Sequence, residues 1–340
     1  MNTMKNEPLS GRSMPENNKT EYKAHYHLPG LFEFYELYKV FLPLYREHRE
    51  YFYDWCDIDS VYGAPGDCLW GGGRVGYGDS DAGDVLELMS EYGISARLTF
   101  SNSLLRPEHL ADKRCNDLCR AFENGGAAAN DTQSSGRDMP ILNQVGNKTD
   151  VPNGVIVHSE LLLDYLRENY QGLYMVSSTT KVITDFDQFS EELDRDEFRY
   201  VVPDFRLNKA FDRLGALSQK QKDKVEFLCN ECCWFSCQDR KVCYEDVSRM
   251  ALGEKSIHHC TSPNAAGGYR FSKAMENPGF IGIDDIKNIY LPLGFSNFKI
   301  EGRSLGSALM LEFLLYYMTK SEYQLRVREE IYLDNTLDLF

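Results

Sequence analysis

The sequence predicts a single TIM-like (β/α)8 barrel with parallel strands, an N-terminal helix and one long insertion. Short apolar runs alternate with helical patterns along most of the 340 residues, and this alternation is typical of parallel strands joined by helical crossovers. Eight such runs are present, and eight strands close a barrel in which every strand has two neighbours. An open doubly wound sheet is the alternative. Hydrophobic residues make up 42% and aromatic residues 13% of the chain, which is enough for a large core.

The elements follow one another in a regular order. The first is a helix from Leu31 to Tyr45, where apolar side chains recur at helical spacing. Strands are predicted at Trp55–Val61, Ser95–Phe100, Gly154–His158, Leu173–Ser177, Arg199–Val202, Lys224–Cys229, Gly279–Ile283 and Asn297–Ile300. Helices are predicted between and after them at residues 84–92, 107–123, 160–169, 186–193, 208–215, 242–251, 284–290 and 304–320.

The composition divides the chain into a barrel and three accessory segments. Residues 1–24 are polar and predict a flexible leader, and residues 25–320 form the barrel domain. Within it, residues 123–153 are rich in Gly, Asn, Ser, Thr and Asp, so this insertion is either a lid or disordered, and the composition favours disorder. Residues 321–340 are predicted to be a C-terminal tail with a last helix and an acidic end.

The net charge and the polar N-terminal segment indicate which classes of partner the protein is not expected to bind. A formal net charge of -15 argues against general nucleic-acid binding, which needs clustered Lys and Arg. No apolar run is long enough to span a membrane, and the polar N-terminus lacks the apolar centre of a signal peptide. We therefore expect a cytoplasmic protein without a membrane partner, in which the ten cysteines stay reduced.

A cysteine-rich segment after the sixth strand is the strongest chemical signal. It holds six of the ten cysteines, with Cys233 and Cys237 four residues apart and Cys260 after a predicted helix. Thiolates at such spacing can converge on a soft metal, so these three predict a zinc or a 4Fe-4S site. The reduced compartment and the resemblance described below favour the cluster.

The remaining ligand of this site is left open by the spacing. It is Cys229, Cys232, Cys243 or a group from outside the protein. Free cysteines are also common in apolar cores, which would explain Cys229 by itself. The adjacent His258 and His259 could bind zinc, although adjacent histidines on a polar loop are more often simply exposed.

A second signal lies at the end of the last strand, in the stretch GFSNFKIEGRSLGS. Lys299, Glu301 and Arg303 occupy alternate positions, and period-two alternation sends their side chains to one side of the strand. If that side is the barrel interior, these residues lie at the mouth, where such barrels hold substrates, and bind an anionic group. A self-satisfied salt bridge or a solvated face is the alternative.

Polar residues at other strand ends are candidates for the same mouth. The predicted substrate-binding residues are Asn102, Asp204, Arg206 and Asn230, together with Arg303. The predicted catalytic residues are Asp57, Glu231, Lys299 and Glu301, because carboxylates and a lysine at a barrel mouth suit acid–base chemistry.

These motifs together resemble a known family. The ending FKIEGR, the pattern Asn230-Glu231-x-Cys233-x-x-x-Cys237 and the alternating elements look like the collagenase-like peptidase family. The resemblance implies a TIM-like barrel, and in characterised relatives a 4Fe-4S cluster that supports oxygen-independent hydroxylation in RNA modification or ubiquinone synthesis. It carries Cys233 and Cys237 over as cluster ligands, with Cys260 as the third.

Three functional hypotheses follow from these signals. The first is an iron–sulfur barrel enzyme that performs redox chemistry, such as hydroxylation, on a small or RNA-linked anionic substrate. The second is a peptidase-like hydrolase in which a metal-bound water attacks and Glu231 or Asp57 is the base. The third is a binding protein with a structural zinc and no accessible mouth. No Ser/His/Asp or Cys/His nucleophile is evident from the sequence.

Overall fold

The structure of the chain is a computed structural model. It describes residues 23–72, 80–125, 151–263, 265, 270–302 and 304–333. The predicted leader, insertion and C-terminal tail fall largely outside these ranges, since residues 1–22, 126–150 and 334–340 are not among them. The helix expected in the tail is present, from Gln324 to Leu333.

The described strands form one parallel sheet that closes into a barrel. They are β1 Ala24–Pro29, β2 Cys56–Gly63, β3 Ser95–Phe100, β4 Gly154–Val157, β5 Tyr174–Ser177, β6 Phe198–Val201, β7 Glu226–Leu228 and β8 Asn297–Lys299. The order around the sheet is β6-β5-β4-β3-β2-β1-β8-β7, and a parallel bridge between Val201 and Val225 joins its two edges. The predicted TIM-like barrel is therefore confirmed.

Helices follow the strands and cover the outside of the barrel. They are α1 Tyr35–Glu47, α2 Ala82–Glu91, α3 Lys113–Glu123, α4 Glu160–Asn169, α5 Phe186–Asp194, α6 Phe211–Ala216, α7 Gln219–Lys224, α8 Arg240–Ala251, α9 Phe271–Met275, α10 Ile283–Asp285, α11 Ser307–Met318 and α12 Gln324–Leu333. A π-helical turn, Ile286–Tyr290, continues α10. Among the described residues, no helix is both long and apolar enough to cross a membrane.

One strand was assigned to the wrong place by the sequence pattern. The first strand is β1, which precedes the N-terminal helix, so that helix belongs to the first β/α unit. The predicted strand Gly279–Ile283 is wrong: only a single backbone hydrogen bond, from Ile281 N–H to the Cys229 carbonyl, ties it to the sheet. The chain then enters α10, where Asp285 accepts a hydrogen bond from the Gly282 N–H.

The two faces of the sheet differ in chemistry. The outer face packs against the helices in one apolar cluster, to which β1 contributes Tyr26 and Leu28. The inner face is polar, and its small apolar cluster consists of Tyr62, Ile156, Val176, Tyr200, Val202 and Leu228. The charged groups described next share the interior with that cluster. The barrel therefore positions polar side chains inside and leaves the helices to supply the apolar core.

Candidate functional site

The floor of the site is a charge network inside the barrel, centred on Glu226 of β7. Its carboxylate accepts hydrogen bonds from Arg97 Nη1 at 2.5 Å and from Lys299 Nζ at 2.9 Å. Both cations and the carboxylate are buried, and His27 Nε2 lies 3.6 Å from the same carboxylate. Because β3 and β7 stand opposite each other in the strand order, the Arg97–Glu226 pair spans the barrel interior.

The surroundings of this network fix its protonation. Burial alone would raise the pKa of the Glu226 carboxyl, but the cations of Lys299 and Arg97 outweigh it and lower that pKa. Burial, together with the Arg97 guanidinium, lowers the pKa of His27 to about 3, so this imidazole is neutral at pH 7. His27 is held by Ser60 Oγ at 2.8 Å from its Nδ1. The floor is thus a charged carboxylate between two cations.

A small cavity lies above this floor, at the carboxyl ends of the strands. Its volume is about 20 Å³, which is room for one water molecule. Lys299 and Glu301 contribute its charged groups, and Lys299 Nζ lies 3.7 Å from the centre of the Tyr62 ring. The other lining residues are Tyr62, Thr99, Ser101, Ile156, Ser178, Thr179, Thr180, Leu228 and Tyr244. The expectation that Lys299 and Glu301 share one side of β8 agrees with this geometry.

Thr99 stands out on the cavity wall. Its side chain is 3% exposed, and its Oγ1 has no hydrogen-bond partner within the part of the chain that the structure describes. A buried hydroxyl without a partner costs about 1–3 kcal/mol, so such groups are uncommon in folded proteins and occur at sites that hold water, an ion or a ligand. Thr99 therefore marks the cavity as a place where a polar group is expected to bind.

Further hydroxyl groups of the cavity wall form a connected chain. Ser101 Oγ lies 3.0 Å from Ser178 Oγ, and Thr180 Oγ1 donates to Ser178 Oγ at 2.9 Å. The chain ends at His158, whose Nδ1 lies 2.8 Å from Thr180 Oγ1. Burial, and then Lys181 and Lys241, lower the pKa of His158 to about 4. This part of the wall is therefore a chain of hydrogen-bonded hydroxyl groups, and the last of them is bonded to a neutral imidazole.

Helix α8 lies across the mouth as a roof. Its Tyr244 lines the cavity, and its Ser248 is bonded to the loop after β3. Ser103 N–H donates to Ser248 Oγ at 3.1 Å, and Asn102 Nδ2 donates to the Ser248 carbonyl at 3.2 Å. The predicted binding residue Asn102 therefore positions the roof, and its amide also bonds the backbone of Leu69 and Leu104.

The first residue of α8 joins the predicted mouth residues into one ionic network. Arg240 Nη1 donates to Glu231 Oε2 at 2.7 Å, and Arg240 Nε lies 3.3 Å from Asp204 Oδ2. Asp204 also accepts from Arg206 Nε at 2.6 Å. The network is buried except for Arg206, and the Arg240 Nη2 donates to Tyr244 OH at 2.9 Å. Asp204, Arg206 and Glu231 thus meet at the mouth, where they fasten the roof.

Asn230 has a backbone role at the same end. Its Nδ2 donates to the Glu301 carbonyl at 2.8 Å, and its Oδ1 accepts from the Glu301 N–H at 2.7 Å. These two bonds continue the pairing of β7 and β8 beyond their last residues. Asn230 therefore holds Glu301 in place at the rim.

Two predicted site residues do not belong to the described mouth. Asp57 lies at the beginning of β2, the opposite end of the barrel, because that strand continues to Gly63. It is half-buried and pairs with Lys23 at 2.9 Å and with Arg49 at 3.6 Å, so the expectation that it lines the mouth is corrected. Arg303 lies outside the described residues, although its neighbours Gly302 and Ser304 are within them.

The four predicted thiolate ligands occupy different environments. Cys229 is buried on the outer face of the barrel, with its Sγ 3.6 Å from the Phe227 carbonyl. Cys237 is buried and Cys233 half-buried in the loop before α8, whereas Cys260 is exposed. Cys229 therefore has the core-packing role that was the alternative for it.

A metal or cluster site needs several donor side chains close together. Within the described ranges, no three His, Cys, Asp or Glu side chains lie close enough together to hold a metal ion. By themselves, the described donors as placed do not form a four-iron or tetrahedral zinc site, and no step proposed below passes through one. The cluster stays a prediction from the sequence, which iron and acid-labile sulfide analysis of protein purified without oxygen would test.

A thiol–imidazole contact was not foreseen from the sequence. Cys243 Sγ on α8 lies 2.8 Å from His258 Nε2, on the loop that returns along the helix. Asp246 fixes this loop by accepting hydrogen bonds from the N–H groups of Ile257 and His258. His258 follows Cys243 by fifteen positions, so a search for short motifs would not find the pair.

Comparisons with known proteins give one similarity. No protein-family model matches the sequence, and no curated protein matches it. A solved structure of the U32 peptidase Mk0906 is 13% identical with a TM-score of 0.47, and the match covers 85% of this chain and 96% of that chain. At this level of similarity no residue role transfers to this chain.

Proposed function

We propose that this chain is a barrel enzyme that hydrolyses a small anionic substrate, or the anionic end of a larger one, at the mouth of the barrel. The observation that carries the proposal is the water-sized cavity, which has Lys299 and Glu301 on its wall and the unpaired Thr99 hydroxyl beside them. A carboxylate, an ammonium group and space for one water are the parts that acid–base hydrolysis needs.

Lys299 supplies the positive charge of the site. Its ammonium is fixed by Glu226 below it and by the face of the Tyr62 ring, so it is oriented before a substrate arrives. A cation held in a buried site interacts more strongly with a developing negative charge than one in water. Lys299 is therefore assigned to the oxyanion that forms when the substrate is attacked.

Glu301 is assigned as the general base and acid. It lies at the half-exposed rim of the cavity, and Asn230 fixes its backbone. In the reaction, the Glu301 carboxylate takes a proton from the water as the water oxygen bonds to the acyl or phosphoryl centre of the substrate. The same proton then passes to the leaving group as its bond breaks, so that protons balance over the cycle.

The activity test uses a panel of amide, ester and phosphoester substrates that carry a carboxylate or phosphate. For any member that is hydrolysed, Glu301→Gln should lower kcat by about a hundredfold or more, because general acid–base catalysis contributes this much. KM should change far less. A substrate that is hydrolysed equally well by Glu301→Gln would contradict the assignment.

A binding test does not need the substrate. Acetate and inorganic phosphate are titrated against the protein, and Thr99→Val should weaken the binding of whichever anion binds by about tenfold through the lost hydroxyl. The fold should be as stable as before or more so by about 1 kcal/mol, because an unpaired buried hydroxyl is removed.

The matched control is the same substitution elsewhere. Thr319, at the end of α11, is also buried, but its Oγ1 donates to the Leu314 carbonyl at 3.3 Å, and it does not line the cavity. Thr319→Val should therefore cost about 1 kcal/mol of stability and leave anion binding unchanged. If neither anion binds, or if both variants bind alike, the cavity is not the anion site.

A further inference from the structure

The size of the cavity has a consequence for access. With a volume of about 20 Å³ it holds one water molecule, and Tyr244 of α8 is among the residues that line it, so a larger group can enter only if a wall of the cavity moves. We propose that α8 is the gate of the barrel mouth, that Arg240 is its latch, and that Tyr244 is the side chain that sets the size of the group admitted. This inference rests on the proposed function, because it concerns entry to the same site.

The underside of α8 is the first argument for movement. The buried residues of this helix are Arg240, Asp246 and Ser248, and no apolar side chain of the helix is buried. Its contacts with the barrel include the hydrogen bonds and ion pairs of Arg240 and Ser248, which water can replace when the helix lifts, and the Arg240 guanidinium also lies 4.8 Å from the centre of the Phe205 ring. Segments with few buried apolar contacts are those that open at low free-energy cost.

The second argument is that both carboxylates bound by Arg240 keep other hydrogen bonds when Arg240 moves away. When Arg240 leaves, Asp204 keeps its hydrogen bonds from Arg206 Nε and from the Arg206 N–H. Glu231 keeps the hydrogen bond from the Cys233 N–H at 2.9 Å. Neither carboxylate is left without a partner, so the open state avoids the penalty of a bare buried charge.

The two ends of α8 are held differently, which defines the direction of the movement. The second half is tied down by Ser248, which bonds the loop after β3, and by Asp246, which bonds the returning loop. The first half is held by Arg240, to which Tyr244 OH is bonded. The helix is therefore expected to pivot about its second half and to lift Arg240 and Tyr244 together.

The test measures access to the cavity with a small thiol reagent. Thr99→Cys places a thiol on the cavity wall in almost the same volume, and methyl methanethiosulfonate reacts with it only when the gate is open. Adding Arg240→Met should raise the labelling rate at position 99 by about tenfold or more, because a hydrogen-bonded ion pair that favours the closed state is lost. Peptide mass spectrometry assigns the rate to each thiol.

Native residues provide the controls. Cys56 and Cys229 are buried on the outer side of the barrel, so they report global unfolding. Arg249→Met makes the same change on the same helix, outside the latch, and should leave all labelling rates unchanged. If Arg240→Met does not fold, Tyr244→Phe removes only the hydroxyl that Arg240 bonds and should give a smaller rise in the same direction.

Each outcome of the labelling experiment either supports or overturns the proposed gate. Faster labelling at position 99 alone supports the gate. Unchanged labelling, or faster labelling that includes Cys56 and Cys229, overturns it, because Arg240 would then have no effect or only stabilise the whole fold. Failure of acetate and phosphate to bind would count against the proposed function and leave the labelling result readable.

Discussion

Helices α8 and α11 have the same length, twelve residues, and are attached to the barrel in opposite ways. Helix α11 buries seven apolar side chains, among them Phe313, Leu314 and Met318. Helix α8 buries a charged or polar set and exposes Val242 and Met250 to solvent. The difference shows that the wall of the barrel is held by the hydrophobic effect, whereas the roof of the mouth is held by directional bonds.

The largest effect is expected from a truncation in the wall. Leu314→Ala should lower the free energy of unfolding by about 3 kcal/mol, because it removes a fully buried side chain and leaves a cavity. Urea unfolding followed by circular dichroism measures it. The exposed Val242 of α8 is the control: Val242→Ala should change stability by less than about 0.5 kcal/mol. Equal losses would remove the distinction between the helices.

Lowering the pH is expected to reduce the free energy of unfolding through His158, which lies beside the mouth. His158 is protonated below about pH 6.5 when unfolded but only below about 4 when folded, so the unfolded state binds more protons between these values. The free energy of unfolding should therefore fall by about 3 kcal/mol for this group as pH drops from 7 to 4. His158→Gln should reduce that slope, and an unchanged slope would show that His158 does not cause it.

Hydrogen exchange should separate the helices directly. The amides of α8 need only local opening, whereas those of α11 need the core to unfold, so α8 should exchange faster by about thirtyfold or more, equal to about 2 kcal/mol. Native-state exchange followed by mass spectrometry resolves the two segments. Equal protection would mean that α8 is part of the global folding unit, which is incompatible with a gate.

The smallest effect is expected at the pivot of α8. Ser248→Ala removes the Oγ that accepts from the Ser103 N–H and should speed exchange in α8 by about fivefold, equal to about 1 kcal/mol. The urea midpoint should not change. Ser307→Ala, at the start of α11, is the matched control and should alter neither measurement.

The sequence predicts the barrel because its strands are regular on their outer face. The run at Ser95–Phe100 is one of seven that the structure confirms as strands. The strand β1 was missed because His25 and His27 interrupt its apolar pattern, and the polar barrel interior is what accommodates such residues. Gly279–Ile283 was mistaken for a strand because a short apolar run can also precede a helix.

For the candidate site, the sequence predicts which residues lie near the mouth but not which groups they bond to. Alternation along β8 correctly places Lys299 and Glu301 on the cavity side. The partner of Lys299, however, is Glu226, seventy-three residues earlier, and no local pattern shows such a pairing. The same holds for Arg240, whose position across the mouth depends on how a whole segment folds back over the barrel. Charges at strand ends indicate a mouth, whereas their partners depend on tertiary structure.

The pairing of Arg97 with Glu226 links the Lys299 ammonium to a residue outside the cavity. Lys299 shares its carboxylate with Arg97, which stands below the cavity and does not line it. A change at Arg97 would alter how strongly Glu226 attracts the Lys299 ammonium, while every residue that a substrate touches stays in place. Under the proposed function, Arg97 would therefore tune the Lys299 ammonium without changing any residue that lines the cavity.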